Sequence, residues 1–143
     1  VKTVSSTAGH NLMNNHPFAE KRFQIAQENT DKLSAILKNG DTNEFVKLVE
    51  NEALMLHGLM MSSNPSYILV KPNTLQIIES IREFRFKNDI PVCFTLDAGA
   101  NVHVLFPDKY SNKVYNFIES KLKVYCENNS YIKDCVGFGA KQL

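Results

Sequence analysis

The sequence predicts an α+β fold on the ferredoxin-like plan: a two-layer sandwich with a four-stranded antiparallel sheet, helices on one face, and an added αα-hairpin. Three observations carry this prediction. The periodic segments run strand, three helices, strand, strand, helix, strand, which becomes β-α-β-β-α-β once the helices before the hairpin count as one crossover layer. Val92 to Leu96 is almost wholly apolar, as a central strand should be. Asp97-Ala98-Gly99-Ala100 is a turn between that strand and the alternating run Asn101 to Phe106, which reads as its hairpin partner.

Each element has a local justification. Val1 to Val4 is a short β-branched run, followed by Ser5-Ser6-Thr7 and, after Gly9, the polar loop Asn11 to His16. Pro17 suits the first turn of a helix; Phe23, Ala26, Leu33 and Leu37 keep helical spacing, and Asn39-Gly40 stops it. Asp41-Thr42-Asn43-Glu44 has the form of a capping box. Phe45, Leu48, Val49, Glu52, Leu56 and Leu59 then predict the inward side of a second helix that ends before Asn64-Pro65, closing the αα-hairpin. Asn73-Thr74 opens a third helix with Ile77, Ile81 and Phe84 on its apolar side. Ser111 to Cys126 is a fourth helix with Val114, Phe117, Ile118, Leu122 and Tyr125 inward. Tyr131 to Val136 is the last strand, before Gly137-Phe138-Gly139.

The 143 residues suit one domain with a core large enough to need neither disulfide nor metal. With 43% hydrophobic and 22% charged residues, the composition is that of a soluble globular protein. The net charge of +1 excludes retention on nucleic acid by excess positive charge. No apolar run approaches the ~18 residues of a membrane span, and no signal peptide is visible. Cys93, Cys126 and Cys135 lack metal or redox spacing and read as reduced, buried thiols of a cytoplasmic protein. The chain begins at Val1 without a Met and is read as a piece of a longer polypeptide.

Asp97 is the first candidate for chemistry. It stands where a buried strand runs into a glycine turn, so rigid backbone places its carboxylate at the sheet edge, and Gly99 lets a ligand or the turn itself come close. The alternative is an Asx-type turn in which the carboxylate accepts its own backbone N–H groups, and on spacing alone that reading leads. Ser5, Ser6 and Thr7, before Gly9 and His10, offer hydroxyl and amide donors to an anion, or form an ordinary polar loop. His57 on the second helix either contacts substrate or a partner domain, or packs as a hydrogen-bonded helix residue, the commoner role. His10, His16, His57 and His103 have no metal-ligand spacing, so no metal site is expected. Gly137-Phe138-Gly139-Ala140 lacks the Lys-Ser/Thr and the following helix of a P-loop.

These residues resemble a known family over nearly the whole chain. Phe94-Thr95-Leu96-Asp97-Ala98-Gly99-Ala100-Asn101 is similar to the aromatic-Thr-x-Asp-Ala-Gly-Pro-Asn stretch in the C-terminal domain of the diphosphomevalonate decarboxylases, members of the GHMP kinase superfamily. Val4-Ser5-Ser6-Thr7-Ala8-Gly9-His10 resembles their Ser-Ser/Thr-x-x-Gly-Met segment. His57, after Ala53-Leu54-Met55-Leu56, resembles a family histidine before a Pro-rich loop, which is Ser62-Ser63-Asn64-Pro65-Ser66-Tyr67 in this chain. Other GHMP kinases usually carry Gly-Ala/Ser-Gly in place of Asp97-Ala98-Gly99, which favours the decarboxylase over mevalonate kinase or homoserine kinase.

The resemblance implies an ATP-dependent carboxy-lyase of isoprenoid synthesis that phosphorylates the 3-hydroxyl of mevalonate 5-diphosphate and releases phosphate, carbon dioxide and isopentenyl diphosphate. It implies that Asp97 is the catalytic aspartate, that Ser6, Thr7 and Gly99 bind substrate, and that Ser5, His10 and His57 border the pocket. A tertiary alcohol is a poor nucleophile that a positioned carboxylate improves. The substrate is itself anionic, so cations must balance the site, yet neither motif contains Lys or Arg. The resemblance therefore implies that ATP and Mg²⁺ are held mainly by an N-terminal domain with a phosphate-binding glycine loop, and that this chain alone has no turnover. The family is often dimeric, so a homodimer is the quaternary expectation.

Two positions depart from the family pattern: Ala100 stands where proline is usual, removing a fixed φ, and His10 where methionine is usual. A mevalonate kinase or phosphomevalonate decarboxylase of the same superfamily is the nearest alternative function. A non-catalytic α+β ligand-binding module, with Asp97 as a turn cap, is the alternative from another class.

Overall fold

The computed structural model describes residues 15–137. Helix α1 (Ala19–Asn39) ends where Gly40 adopts a left-handed conformation, φ +68°, and its N–H returns to the Ile36 carbonyl. Helix α2 (Thr42–Ser62) begins at once, its N-terminus capped by the Asp41 carboxylate accepting the Glu44 N–H at 3.1 Å. The Glu44 side chain pairs with Lys47 instead of returning to the cap backbone, so half of the expected capping box forms. Helices α1 and α2 make the anticipated αα-hairpin. Glu52 of α2 accepts from both Arg22 and Asn29 of α1.

Helix α3 (Pro72–Asn88) leads through Ile90 and Val92 into β1 (Cys93–Leu96), which pairs antiparallel with β2 (Val102–Leu105). Leu96 faces Val102 across the ladder, which sets the Asp97 turn at the tip of the hairpin. A helical run follows, α-helical as α4 (Ser111–Phe117), π-type over Ile118–Leu122 and 3₁₀ over Lys123–Tyr125. Ile77, Ile78 and Ile81 of α3, Phe94 and Leu96 of β1, and Val114, Phe117, Ile118 and Leu122 of the last run share one core. Phe84 stacks on Phe117 at 4.1 Å between centroids, and Tyr125 packs against the same core. Among the described residues, no helix is long and apolar enough to cross a membrane.

Two expectations are corrected, and the expected sheet is met in part. The sheet has two strands among the described residues, where four were anticipated. The first, Val1 to Val4, lies outside the described residues. Tyr131 to Val136 forms no ladder with the other described residues: Ile132 is 93% exposed, and the Asp134 carboxylate takes the Cys135 N–H at 2.8 Å. A strand needs a ladder partner.

The buried stripe of α2 also differs. It is Val46, Glu50, Ala53 and His57, at helical spacing i, i+4, i+7, i+11, while Phe45, Leu48, Val49, Glu52 and Leu56 are half-buried and only Leu59 of the expected set is buried. Helix α2 lies between α1 and β1, and so has two covered faces. Its deeper face carries polar side chains because each is paired. Arg85 holds the Glu50 carboxylate with both terminal nitrogens, at 2.6 and 3.1 Å, and also donates to the Val92 carbonyl at 2.7 Å.

The second correction concerns the thiols. Cys93 is buried, Cys126 half-buried and Cys135 exposed. Burial, with a smaller contribution from Glu50, pushes the Cys93 thiol up to about 12, so its reactive thiolate is scarce at neutral pH. An alkylating reagent at pH 8 should label Cys135 first and Cys93 only on unfolding. Rapid labelling of Cys93 in the folded chain, read by peptide mass, would contradict the packing of β1.

Candidate active site

Strand β1 delivers Asp97 out of the core. Phe94 and Leu96 are buried, and the next residue, Asp97, is exposed. Its backbone carbonyl, not its carboxylate, accepts the Gly99 N–H at 2.8 Å. The carboxylate instead accepts from the Asn101 side-chain amide, at 3.2 Å to Oδ2. Among the described residues, no backbone N–H reaches that carboxylate and no salt bridge involves it. The Asx-turn alternative is therefore not the arrangement adopted, and the carboxylate keeps acceptor capacity for an incoming hydroxyl.

Gly99 has a specific reason to be glycine. A Cβ at this position would stand 3.0 Å from Asp97 Oδ1, and the Gly99 φ lies outside the left-handed range. The missing side chain clears space for the carboxylate and does not serve an unusual backbone angle.

His57 is buried on α2, and its Nε2 lies 3.0 Å from the Asp97 carbonyl oxygen. A carbonyl only accepts, so Nε2 carries the proton. The imidazole thus meets the backbone of the Asp97 loop, in the manner of a hydrogen-bonded packing histidine. His103, on β2 opposite Thr95, is exposed. Ser5, Ser6, Thr7 and His10 lie outside the described residues.

Two contributors escaped sequence reasoning. Asn101 belonged to the quoted motif, but its amide contact with the carboxylate spans a turn whose geometry the motif does not state. Thr74, buried in the first turn of α3, accepts the Lys71 N–H at 3.1 Å and donates to the Ala100 carbonyl at 3.0 Å. A threonine near a Pro-initiated helix start signals the first of these bonds but not the second. No group of three or more His, Cys, Asp or Glu able to hold a metal ion occurs among the described residues.

Comparison with known proteins places this geometry in a family. The family model for the mevalonate 5-diphosphate decarboxylase C-terminal domain matches residues 1–140. The chain belongs to that family. The resemblance read from the Asp97 and His57 motifs is thereby borne out, as is the decarboxylase class within the GHMP superfamily. A phosphomevalonate decarboxylase from Haloferax volcanii is 26% identical over 99 residues, covering 69% of this chain and 30% of its own length. The solved mevalonate diphosphate decarboxylase from Legionella pneumophila superposes with a TM-score of 0.78 at 27% identity, over 85% of this chain and 38% of that one. A protein designated MDDEF, solved in complex with MVAPP, AMPPCP and magnesium, gives a TM-score of 0.77 at 27% identity, over 83% of this chain and 36% of that one. The chain thus spans about a third of the length of these relatives. The α+β architecture is that of the family's C-terminal domain.

Proposed function

We propose that this chain forms the C-terminal half of the active site in an ATP-dependent decarboxylase acting on mevalonate 5-diphosphate. The observation that carries this reading is the exposed Asp97 carboxylate at the end of β1, held by one side-chain amide. In that position the carboxylate orients, or takes the proton from, the tertiary 3-hydroxyl of the substrate. The freed oxygen accepts the terminal phosphoryl group of ATP. Phosphate then departs with its C–O electron pair, and the bond to the substrate carboxylate breaks. Carbon dioxide leaves, and the released pair forms the double bond of isopentenyl diphosphate. Ser6 and Thr7 contact the anionic groups of the substrate, and Gly99 leaves room at the carboxylate.

The charge balance supports a second domain. An anionic substrate, ATP and Asp97 together need cations. The Asp97 loop is bordered by His57, Thr74 and Asn101, with no Lys or Arg bonded to it among the described residues. These residues offer the nucleotide phosphates no cation, and Asp97 is the one carboxylate among them, so the proposed N-terminal domain would hold the nucleotide and most of the Mg²⁺ ligands. A cytoplasmic setting accords with the soluble substrates of this chemistry.

The match to a phosphomevalonate decarboxylase supports a second reading, with mevalonate 5-phosphate as substrate. Assaying the complete polypeptide with ATP and each substrate tests both readings. The expected result is carbon dioxide release with kcat/KM at least about tenfold higher for the diphosphate, a difference of ~1.4 kcal/mol in transition-state binding. The reverse preference would select the monophosphate. Release from neither would leave the non-catalytic module. The 143-residue chain alone should release none.

Gly99→Ala offers a finer check. The new methyl would push the Asp97 carboxylate aside by a few tenths of an ångström, while the Gly99 backbone stays unstrained. The expected outcome in the complete polypeptide is a kcat loss of about tenfold or more, with a melting temperature close to that of the parent. Unchanged kcat would show that the carboxylate tolerates displacement.

A further inference from the structure

Two buried side chains from two helices grip the loop that carries Asp97. His57, 3% exposed on α2, donates Nε2–H to the Asp97 carbonyl at 3.0 Å. Thr74, 2% exposed in the first turn of α3, donates its hydroxyl to the Ala100 carbonyl at 3.0 Å. These contacts bracket the turn at its first and last residues. Between them Gly99 N–H also bonds the Asp97 carbonyl, at 2.8 Å, so both lone pairs of that oxygen are engaged. The Thr74 hydroxyl is oriented by a second bond, since it accepts the Lys71 N–H at 3.1 Å while its one proton goes to Ala100. Neither side chain has the exposure to reach a substrate. Without them, the described contacts that hold the loop in place would be the Gly99 turn bond and the Asn101 amide.

We propose that His57 and Thr74 are positioning residues that fix the Asp97 backbone, and through it the aim of the carboxylate at the reacting hydroxyl. This rests on the functional reading above. The physical basis is that a carboxylate on a turn is only as well placed as the backbone beneath it, and reaction rates respond steeply to misplacement. The two helices supply rigidity that the turn lacks. Without His57 the Asp97 carbonyl keeps the Gly99 N–H alone, and without Thr74 the Ala100 carbonyl has no partner among the described residues. Ala100 is the position where the family usually carries proline, so the Thr74 bond to its carbonyl holds a residue whose φ is otherwise unrestricted.

The test uses the complete polypeptide with four variants. Thr74→Val and His57→Leu keep bulk and remove the donor, whereas Thr74→Ser and His57→Gln keep a donor. The first pair should lose about 10–100-fold in kcat with KM changed by less than about threefold. The second pair should recover most of that loss. In an Asp97→Asn background Thr74→Val should cost less than about twofold more, because both changes act through one group. Amide exchange of residues 97–101 should quicken in Thr74→Val and His57→Leu while that of residues 93–95 stays protected, a readout independent of turnover. Full kcat in both donor-less variants, a loss wholly in KM, or a full multiplicative loss with Asp97→Asn would overturn the proposal. Should the parent turn over neither mevalonate phosphate, the functional reading fails and exchange alone decides the grip. Should Thr74→Val or His57→Leu not fold, the conservative partner decides, with slowed turnover and quickened loop exchange in Thr74→Ser and His57→Gln counting against it.

Discussion

Replacing Asp97 by asparagine in the complete polypeptide should lower kcat by about 10²–10⁴-fold, the usual worth of a positioned general acid–base group. The substitution is nearly isosteric, and the Asn101 amide can still donate to the new side-chain oxygen. Substrate binding should therefore persist, with KM within a few-fold of the parent. Asp97 is exposed and makes no ion pair among the described residues, so thermal stability should not fall with activity. Phosphate release under saturating ATP and mevalonate 5-diphosphate reads the effect directly. A kcat near that of the parent would remove Asp97 from the chemical step and return the loop to the status of a turn.

The second large effect is on stability. Arg85→Leu should destabilise the chain by about 3–5 kcal/mol, the range for breaking one side of a buried pair. Glu50 is 9% exposed at its side chain and Arg85 25%, so the pair is largely removed from water. Without Arg85, the nearest described cation to the carboxylate is Arg82, at 3.8 Å. The Val92 carbonyl at the entry to β1 loses its donor in the same change. Replacing both partners with leucine should restore much of the loss, because the stranded charge is gone. Equilibrium urea unfolding of the 143-residue chain measures both variants. A loss below about 1 kcal/mol for Arg85→Leu would mean that the Glu50 carboxylate is not stranded, because Arg82 or water takes the place of Arg85.

Glu50 and His57 show how one helix face serves both ends of a strand. They lie two turns apart on α2. Glu50 is tied through Arg85 to Val92 before β1, and His57 bonds Asp97 just after it. Hydrophobic periodicity alone put the buried side of α2 elsewhere, on the face with Glu52 and not the one with Glu50 and His57, because it follows apolar residues and does not see which polar groups find a partner. The paired state of these polar groups is what permits their burial. Tyr131 to Val136 has strand-forming residues, but strand identity depends on a partner, and none stands beside it among the described residues.

What the amino-acid sequence determined by itself is local. The stop at Gly40, the cap at Asp41, the antiparallel pairing of β1 with β2 and the carboxylate at the tip of that hairpin all depend on residues a few positions apart. The tertiary structure alone decided what the polar residues of the helices hold. His57 meets a carbonyl 40 positions away, Thr74 one 26 away, and Glu50 a guanidinium 35 away. A helical period states which face a side chain occupies. It does not state which backbone group stands opposite, since that follows from how the helices pack against the sheet.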